Sequence, residues 1–321
     1  MTQVGVIMST YNGEKYVSSQ IKSILDQTHQ DLILTVADDH SSDETLAIVA
    51  GMAVSDDRIS YKKNSENSGV NRSFQTAIRS APVSDFYCLS DQDDIWPSDR
   101  LQQFVRAARQ NIPLHGAVSG PALYVCQFET FDDSNLGVPV SSADLLQLNR
   151  NDLDWKNLLL AGNLLYGCCF FFNHELRLLI EEIPEGRTTH DYWIALVAAY
   201  TGHIVVLPFT GTFYRQHTNN ASYGAPSANW LVKLRRIRRS LKEDIRSRRD
   251  MMRLFTQLLS QHEGSLKNEE REKIGMAANA YRDGALQLLF FQIKQRAWRL
   301  NPLSNILRVL ACMAEFAKIK L

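Results

Sequence analysis

Apolar residues along the first 110 positions come in two alternating patterns. Short continuous runs, at Val4–Met8, Leu32–Ala37, Ile59–Tyr61 and Phe86–Leu89, have the length of strands. Between them apolar side chains recur three or four positions apart. Val17, Ile21, Ile24 and Leu25 form one such set, and Leu46, Val49 and Ala50 a second. Phe74, Ala77 and Ile78 form a third, and Leu101, Phe104 and Val105 a fourth. A continuous run reads as a strand buried on both faces, and the wider recurrence as a helix with one apolar face. Turn and capping residues fall between the runs: Asn12-Gly13, then Ser41-Ser42-Asp43 ahead of the second helix, then Pro97-Ser98 ahead of the fourth. The alternation predicts an α/β fold, a mostly parallel sheet flanked by helices.

From 111 to 225 the pattern is less regular. Val118–Phe128 and Ile204–Leu207 read as strands, and His190–Tyr200 as a helix. Leu164–Asn173 is strongly apolar and aromatic, and 132–151 reads as loop and helix. Beyond about Ala225, Leu231, Leu234, Leu241, Ile245 and Leu254 mark one face of a helix, with Arg235, Arg236, Arg238, Arg239, Arg246, Arg248 and Arg249 around it. Helical patterns recur at Leu286–Ile293 and Ile306–Phe316. The organisation expected is a domain over 1–225, in halves of about 1–110 and 111–225, followed by a basic amphipathic helical extension over 226–321.

Composition narrows the class. The 321 residues are 45% hydrophobic and 22% charged, the balance of a soluble globular protein. Lys plus Arg and Asp plus Glu each total 35, so net charge gives no expectation of a nucleic-acid partner. Met1–Ile7 has no basic region ahead of a long apolar run, and no stretch supplies the roughly 18–20 apolar residues of a membrane span. Trp193–Phe209 comes nearest and is interrupted by Gly202, His203 and Pro208. A cytoplasmic protein is expected, at most peripheral on the inner face of the membrane. Cys88, Cys126, Cys168, Cys169 and Cys312 show no CxxC spacing, which argues for reduced, buried thiols and against a zinc site.

Three polar clusters close predicted strands: Thr10-Tyr11-Asn12, Asp38-Asp39 and Asp91-Gln92-Asp93-Asp94. In open α/β sheets ligands bind beyond the carboxyl ends of the strands. Three carboxylates within four residues repel one another, and a divalent cation carrying diphosphate oxygens relieves that repulsion. An acidic turn capping the helix after Pro97 is the other reading. Asp38-Asp39 suits either a nucleobase or ribose contact or turn chemistry. Asp191, opening an apolar helix after His190, is a helix cap or a general base. In Tyr214-Arg215-Gln216-His217, Arg suits a diphosphate and His a metal or phosphate.

Together these segments resemble the family 2 glycosyltransferases of the GT-A fold, over about residues 3–223. Val6-Ile7-Met8-Ser9-Thr10-Tyr11-Asn12 resembles the family's opening strand and turn, and Ser23-Ile24-Leu25-Asp26-Gln27-Thr28 the end of its first helix. Asp38-Asp39-His40-Ser41-Ser42-Asp43-Glu44-Thr45 resembles its second strand turn, and Ser90-Asp91-Gln92-Asp93-Asp94-Ile95-Trp96 its metal-binding DxD segment. The resemblance implies a metal-dependent hexosyltransferase, working by one in-line displacement with inversion. Residues 1–110 would be its nucleotide-sugar half and 111–225 its acceptor half.

It also implies roles. Thr10, Tyr11, Asn12, Asp38, Asp39, Asn67, Gly69, Arg72, Asp91 and Arg215 would line the nucleotide site. Asp93 and Asp91 would hold Mg²⁺ or Mn²⁺, with Asp94 a further candidate, and His217 would close over the metal. Asp191 would be the general base. His190-Asp191-Tyr192-Trp193, Gly167-Cys168 and Tyr214-Arg215-Gln216-His217 further resemble bacterial rhamnosyltransferases of O-antigen or capsule synthesis. That implies dTDP-L-rhamnose as donor and a glycan or lipid-linked glycan as acceptor. UDP-glucose or UDP-galactose as donor, a nucleotidyltransferase, and a non-catalytic nucleotide-sugar-binding protein are the alternatives. The C-terminal helices have three readings: packing on the catalytic domain, resting on an anionic membrane, or forming a homodimer contact.

Overall fold

The computed structural model describes residues 2–114, 120–131, 140–141, 154–160, 163, 165–180, 182–185, 190–217, 250–283 and 285–294. In the first half strands and helices alternate as the pattern predicts. They are β1 (Val4–Thr10), α1 (Val17–Leu25), β2 (Leu32–Asp38), α2 (Thr45–Ser55), β3 (Ile59–Lys63), α3 (Val70–Ser80), β4 (Phe86–Ser90) and α4 (Arg100–Leu114). There follow β5 (Ala122–Phe131), β6 (Val140–Ser141), α5 (Trp155–Leu160), a 3₁₀ turn at Gly167–Cys169, β7 (Phe170–Asn173) and α6 (His174–Leu179). Then come α7 (His190–Thr201) and β8 (His203–Arg215). The later helices are α8 (residues 250–262), α9 (Asn268–Asp283) and α10 (Ala285–Lys294).

The eight strands form one sheet in the order β3-β2-β1-β4-β7-β5-β6, with β8 beside β5. β3, β2, β1 and β4 run parallel, and β8 runs parallel to β5. β7 enters antiparallel between β4 and β5, so the sheet is mostly parallel with a mixed second half. That central position explains the aromatic run. Phe170, Phe171 and Phe172 are all fully buried, because a central strand has no solvent face. Phe171 stacks on Phe86 and Phe104 at 4.7 and 4.8 Å between ring centroids.

Register brings the site together. Thr10 lies opposite Asp38, and Met8 opposite Ser90, so the carboxyl ends of β1, β2 and β4 share one edge. β8 continues well past the expected Ile204–Leu207. Its pairing with β5 shifts between Val125/Gln127 and again between Gln127/Phe128. Pro208 and Gly211 fall in those irregularities, where a missing N–H or side chain is tolerated. The strand therefore survives both breakers and carries Arg215 to the carboxyl ends of β1 and β4. Before it, Gly202 passes against Pro121. A Cβ at 202 would lie 1.8 Å from the Pro121 carbonyl oxygen, so no other residue fits there.

The expected cap of α2 is also displaced. The helix starts at Thr45, and Asp43 Oδ1 accepts the Thr45 backbone N–H at 3.0 Å. The later helices pack on the sheet domain. Leu254, Phe255, Leu258 and Ile274 are fully buried, Trp193 lies 6.0 Å from His262, and Lys156 pairs with Glu270. Among the described residues no helix is long and apolar enough to cross a membrane. The arginine-rich stretch 226–249 and the pattern at 306–316 lie outside the described residues, as does most of 132–151.

Candidate active site

The loop after β4 is held from several directions. Gln20 Nε2 donates to Ser90 Oγ at 2.8 Å, and Ser90 Oγ donates to the Asp91 carbonyl at 2.9 Å. Gln92 pairs with the Tyr11 backbone both ways, accepting its N–H at 2.8 Å and donating to its carbonyl at 3.0 Å. Ile95 and Phe213 exchange backbone hydrogen bonds of 3.0 and 2.9 Å, clipping the loop to β8. Arg215 adds its backbone N–H to Asp94 Oδ1 at 3.2 Å and its Nε to the Asp93 carbonyl at 2.8 Å. His217 Nε2 meets Asp93 Oδ2 at 2.8 Å.

The carboxylates so gathered are strained electrostatically. Burial, then Asp93, then Asp191 push Asp91 up to about 7. Burial and the charges of Asp91 and Asp93 hold Asp94 well above the ordinary carboxylate range. Asp94 Oδ2 is buried with no hydrogen-bond partner. Asp91, Asp94 and Cys168 each bring one potential ligand atom within 4.8 Å of the others. Of the expected Asp91, Asp93 and His217 this set holds Asp91, and it adds Asp94, the further candidate; Asp93 and His217 pair with each other. Cys168 is a poor ligand for an oxygen-preferring cation. Its hydrogen bond with Cys169 lowers its pKa, but burial and the two aspartates push it up to about 12.

Across the loop stands the start of α7. Asp191 is half-buried in its first turn, with Oδ1 accepting the Tyr192 N–H at 2.7 Å. It lies near enough to raise the Asp91 pKa. His190 fixes the helix start. Its backbone N–H donates to Asn71 Oδ1 at 2.9 Å, and its ring stacks on Phe74 at 3.9 Å. Burial lowers its pKa against the opposing pull of Asp191. Gly167 abuts this corner. A Cβ there would lie 2.9 Å from His190 Nε2 and 3.3 Å from Asp191 Cβ.

The expected nucleotide residues divide into two groups. Asp38 faces inward, accepting from Thr10 Oγ1 at 3.0 Å and from Ser41 N and Oγ at 2.9 and 2.5 Å. Asp39 Oδ1 accepts from Asn64 Nδ2, Ser68 N and Ser68 Oγ, and Oδ2 from Gly69 N, all within 3.0 Å. Burial alone would raise the Asp39 pKa, and these donors together hold it below the ordinary value. Asn12, at φ 46°, accepts the Ser42 N–H at 2.9 Å. These three shape turns. Tyr11, Asn67, Gly69 and Arg72 are exposed, with Arg72 paired to Glu185.

A glycosyl transferase family 2 model matches residues 5–175, just over half of the chain. The chain belongs to this family. Family 2 relatives include the dTDP-rhamnosyl transferase RfbG of Shigella flexneri, 35% identical over 102 residues, which are 30% of this chain and 35% of that protein. The Escherichia coli UDP-Glc:alpha-D-GlcNAc-diphosphoundecaprenol beta-1,3-glucosyltransferase WfgD is 35% identical over 108 residues, 34% of this chain and 42% of that one. The chain thus spans well under half the length of both. Among solved structures, the fold is similar to S. aureus TarS 1-349, with TM-score 0.57 and 16% identity over 87% of this chain and 71% of that one. It is also similar to the mannosyltransferase PcManGT from Pyrobaculum calidifontis in complex with GDP-Man and Mn2+, with TM-score 0.55 and 16% identity over 98% and 86%. These neighbours share the GT-A architecture.

The donor set of this family 2 chain fits a divalent cation. Clustered carboxylates and an orphaned, buried Asp94 oxygen call for positive charge, and Mg²⁺ and Mn²⁺ favour such oxygen ligands. Three residues at the site stand outside the expected set of site residues. Tyr16 stacks on His217 at 4.9 Å and lies 4.6 Å beneath the Arg215 guanidinium. Gln92 ties the acidic loop to β1. Arg100, fully buried, donates to the carbonyls of Gly211 at 2.7 Å and Cys168 at 2.8 Å, and to Thr212 Oγ1. Its partners lie 68 to 112 positions away, beyond the reach of local pattern.

Proposed function

We propose that the chain is an inverting glycosyltransferase of bacterial surface-glycan synthesis, moving a sugar from a nucleoside diphosphate onto an acceptor hydroxyl. The observation that carries this is the corner at Gly167, where a Cβ would lie 3.3 Å from Asp191 Cβ and 3.5 Å from Leu89 of β4, the strand that ends at the Asp91–Asp94 loop. One group suits a proton acceptor, and the other a cation and diphosphate. As the acceptor oxygen bonds to the anomeric carbon, the bond from that carbon to the diphosphate oxygen breaks, and Asp191 takes the acceptor's proton. Arg215 lends positive charge at the diphosphate side, and its contacts with Asp93 and Asp94 keep it there. Asp91, Asp93 and Asp94 would hold Mg²⁺ or Mn²⁺, which when bound would neutralise charge on the departing diphosphate. Thr10, Asp38 and Asp39 shape the nucleotide end through the turns they hold, and Tyr11, Asn67 and Arg72 supply its exposed contacts.

The likeness to RfbG supports dTDP-L-rhamnose as donor, and the likeness to WfgD supports a lipid-linked acceptor. The arginine-rich stretch before α8 suits the anionic surface on which such an acceptor resides. The test is donor hydrolysis and binding across dTDP-rhamnose, UDP-glucose, UDP-galactose and GDP-mannose, with Mn²⁺ and with EDTA. Metal-dependent preference for dTDP-rhamnose is expected, and preference for another donor would discard the rhamnosyl assignment alone. With Asp191→Asn, turnover should fall about 10²–10⁴-fold while donor binding persists. Undiminished turnover would remove Asp191 from the role.

A further inference from the structure

An acceptor must lie between Asp191 and the diphosphate end at Arg215, and one row of aromatic rings borders both. Phe128 of β5 is the register partner of Thr212, and Thr130 that of Tyr214, so Phe128, Thr212 and Tyr214 share one face of the sheet. Thr212 Oγ1 donates to the Cys168 carbonyl at 2.9 Å, which seats the Gly167–Cys169 turn on that same face. Between ring centroids Phe128 lies 5.6 Å from Tyr214 and 5.0 Å from Tyr166. The row therefore runs from Tyr166, the residue before Gly167, to Tyr214, the residue before Arg215.

Both of its ends meet the site. At one, a Cβ on Gly167 would lie 3.3 Å from Asp191 Cβ. Given the spacing of consecutive Cα atoms and the length of the added bond, Tyr166 Cα stands within about 9 Å of Asp191 Cβ. At the other end, Arg215 holds Asp94 Oδ1 through its backbone N–H at 3.2 Å and the Asp93 carbonyl through Nε at 2.8 Å.

Tyr166 is the open member of the row. It is 43% exposed, whereas Phe128 is buried and Tyr214 half-buried. Its ring meets that of Phe128 at 71°, edge to face, so Phe128 covers at most one of its faces. The exposed aromatics Tyr11, Tyr61 and Phe290 stand elsewhere: after β1, on the edge strand β3 and in α10. A pyranose is apolar across its C–H face and polar around its rim. A tyrosine is apolar on its face and polar at its tip, so the two fit face to face.

We infer that Tyr166 is the stacking platform for the acceptor's terminal sugar, a pyranose whose C–H face covers the ring while one hydroxyl reaches Asp191. The inference rests on the transferase reading above. The Gly167 corner then serves both partners, keeping the base close and presenting the ring beside it.

The test uses the full chain with Tyr166→Leu, which keeps an apolar contact for Phe128 but removes the flat ring, and Tyr166→Phe, which keeps the ring. Each protein is saturated with UDP or dTDP and Mg²⁺. Saturation-transfer difference NMR is run with the methyl pyranosides of rhamnose, glucose, galactose and N-acetylglucosamine, and nucleotide affinity is measured in parallel by calorimetry. Transfer is expected on the ring protons of one face of at least one pyranoside. Its affinity should weaken about five- to tenfold in Tyr166→Leu and stay within about twofold in Tyr166→Phe, with nucleotide affinity unchanged in both. Pyranoside binding unchanged in Tyr166→Leu, or lost equally in Tyr166→Phe, would overturn the inference. So would a parallel fall in nucleotide affinity, which would put the ring at the donor, or no transfer to any pyranoside in an enzyme that hydrolyses a donor. Hydrolysis of no donor by the wild type would instead overturn the transferase reading, and the platform with it.

Discussion

Neutralising Asp91 should stabilise the metal-free protein while crippling its response to metal. In the fold, burial and the charges of Asp93 and Asp191 move the Asp91 carboxyl from 3.8 to about 7. At about 1.4 kcal/mol for each tenfold change in proton affinity, that gap is worth about 4 kcal/mol of charge penalty. Side chains that turn outward and admit water relieve part of it, so Asp91→Asn should gain about 2 kcal/mol at pH 8. At roughly 2–4 °C per kcal/mol for a large domain, the melting temperature should rise by about 5 °C.

The sign follows from proton binding. Between 3.8 and about 7 the folded state holds a proton on Asp91 that the unfolded chain has released. Wild-type stability therefore falls as pH rises through this window and levels off above it. Asn carries no such dependence, so its advantage at pH 5.5 should be about half that at pH 8. Saturating Mn²⁺ should stabilise the wild type by about 3 kcal/mol at a hundredfold excess over Kd, and the variant by much less, closing or reversing the order. Thermal unfolding of both proteins in EDTA and in Mn²⁺, at the two pH values, reads all of this. Destabilisation of Asp91→Asn in EDTA at pH 8, or an advantage independent of pH, would refute the electrostatic account of the loop.

Three other outcomes follow from buried contacts. Arg100→Leu strands the Gly211 and Cys168 carbonyls in the core, and should cost about 3–5 kcal/mol in urea unfolding; a loss under about 1 kcal/mol would mean those carbonyls find other donors. Asp39→Ala releases the 64–69 turn and should weaken nucleoside diphosphate binding about tenfold. Because the folded Asp39 pKa is depressed, its contribution is present above pH 3.8 and fades below it, so the wild-type advantage should shrink in acid. Gly167→Ala pushes on His190 and Asp191 and should lower turnover about 10–100-fold with donor binding unchanged, measured by a kcat and Kd comparison.

The first half of the fold is legible in the sequence because its strands are continuous apolar runs and its helices keep a 3.6-residue stripe. β7 is not, since Phe170–Phe172 reads the same in any buried element, and only its place between β4 and β5 makes it a strand. The apolar run that marks β8 stops at Leu207, whereas the strand runs on to Arg215 because register shifts against β5 absorb Pro208 and Gly211. The acidic loop and His190-Asp191 stand out as residue types. Their approach to each other depends on β4, the Gly167 corner and α7 meeting in three dimensions.

Tyr16 shows where local pattern stops. In sequence it is one more aromatic residue ahead of an apolar helix. In the fold its ring stacks on His217 and supports the Arg215 guanidinium, which Phe131 covers from 4.6 Å. Both side chains extend from the end of β8 toward the acidic loop, where His217 meets Asp93 and Arg215 meets the backbone of Asp93. A long side chain at a strand end loses rotamer freedom when it reaches a ligand, and much of that cost is already met where an aromatic face fixes it. The register shifts that carry β8 past Pro208 thus serve the chemistry directly. Had the strand ended at Leu207, neither Arg215 nor His217 would arrive at the loop, and the Asp93 carbonyl and Asp94 Oδ1 would lose the donors that Arg215 brings them.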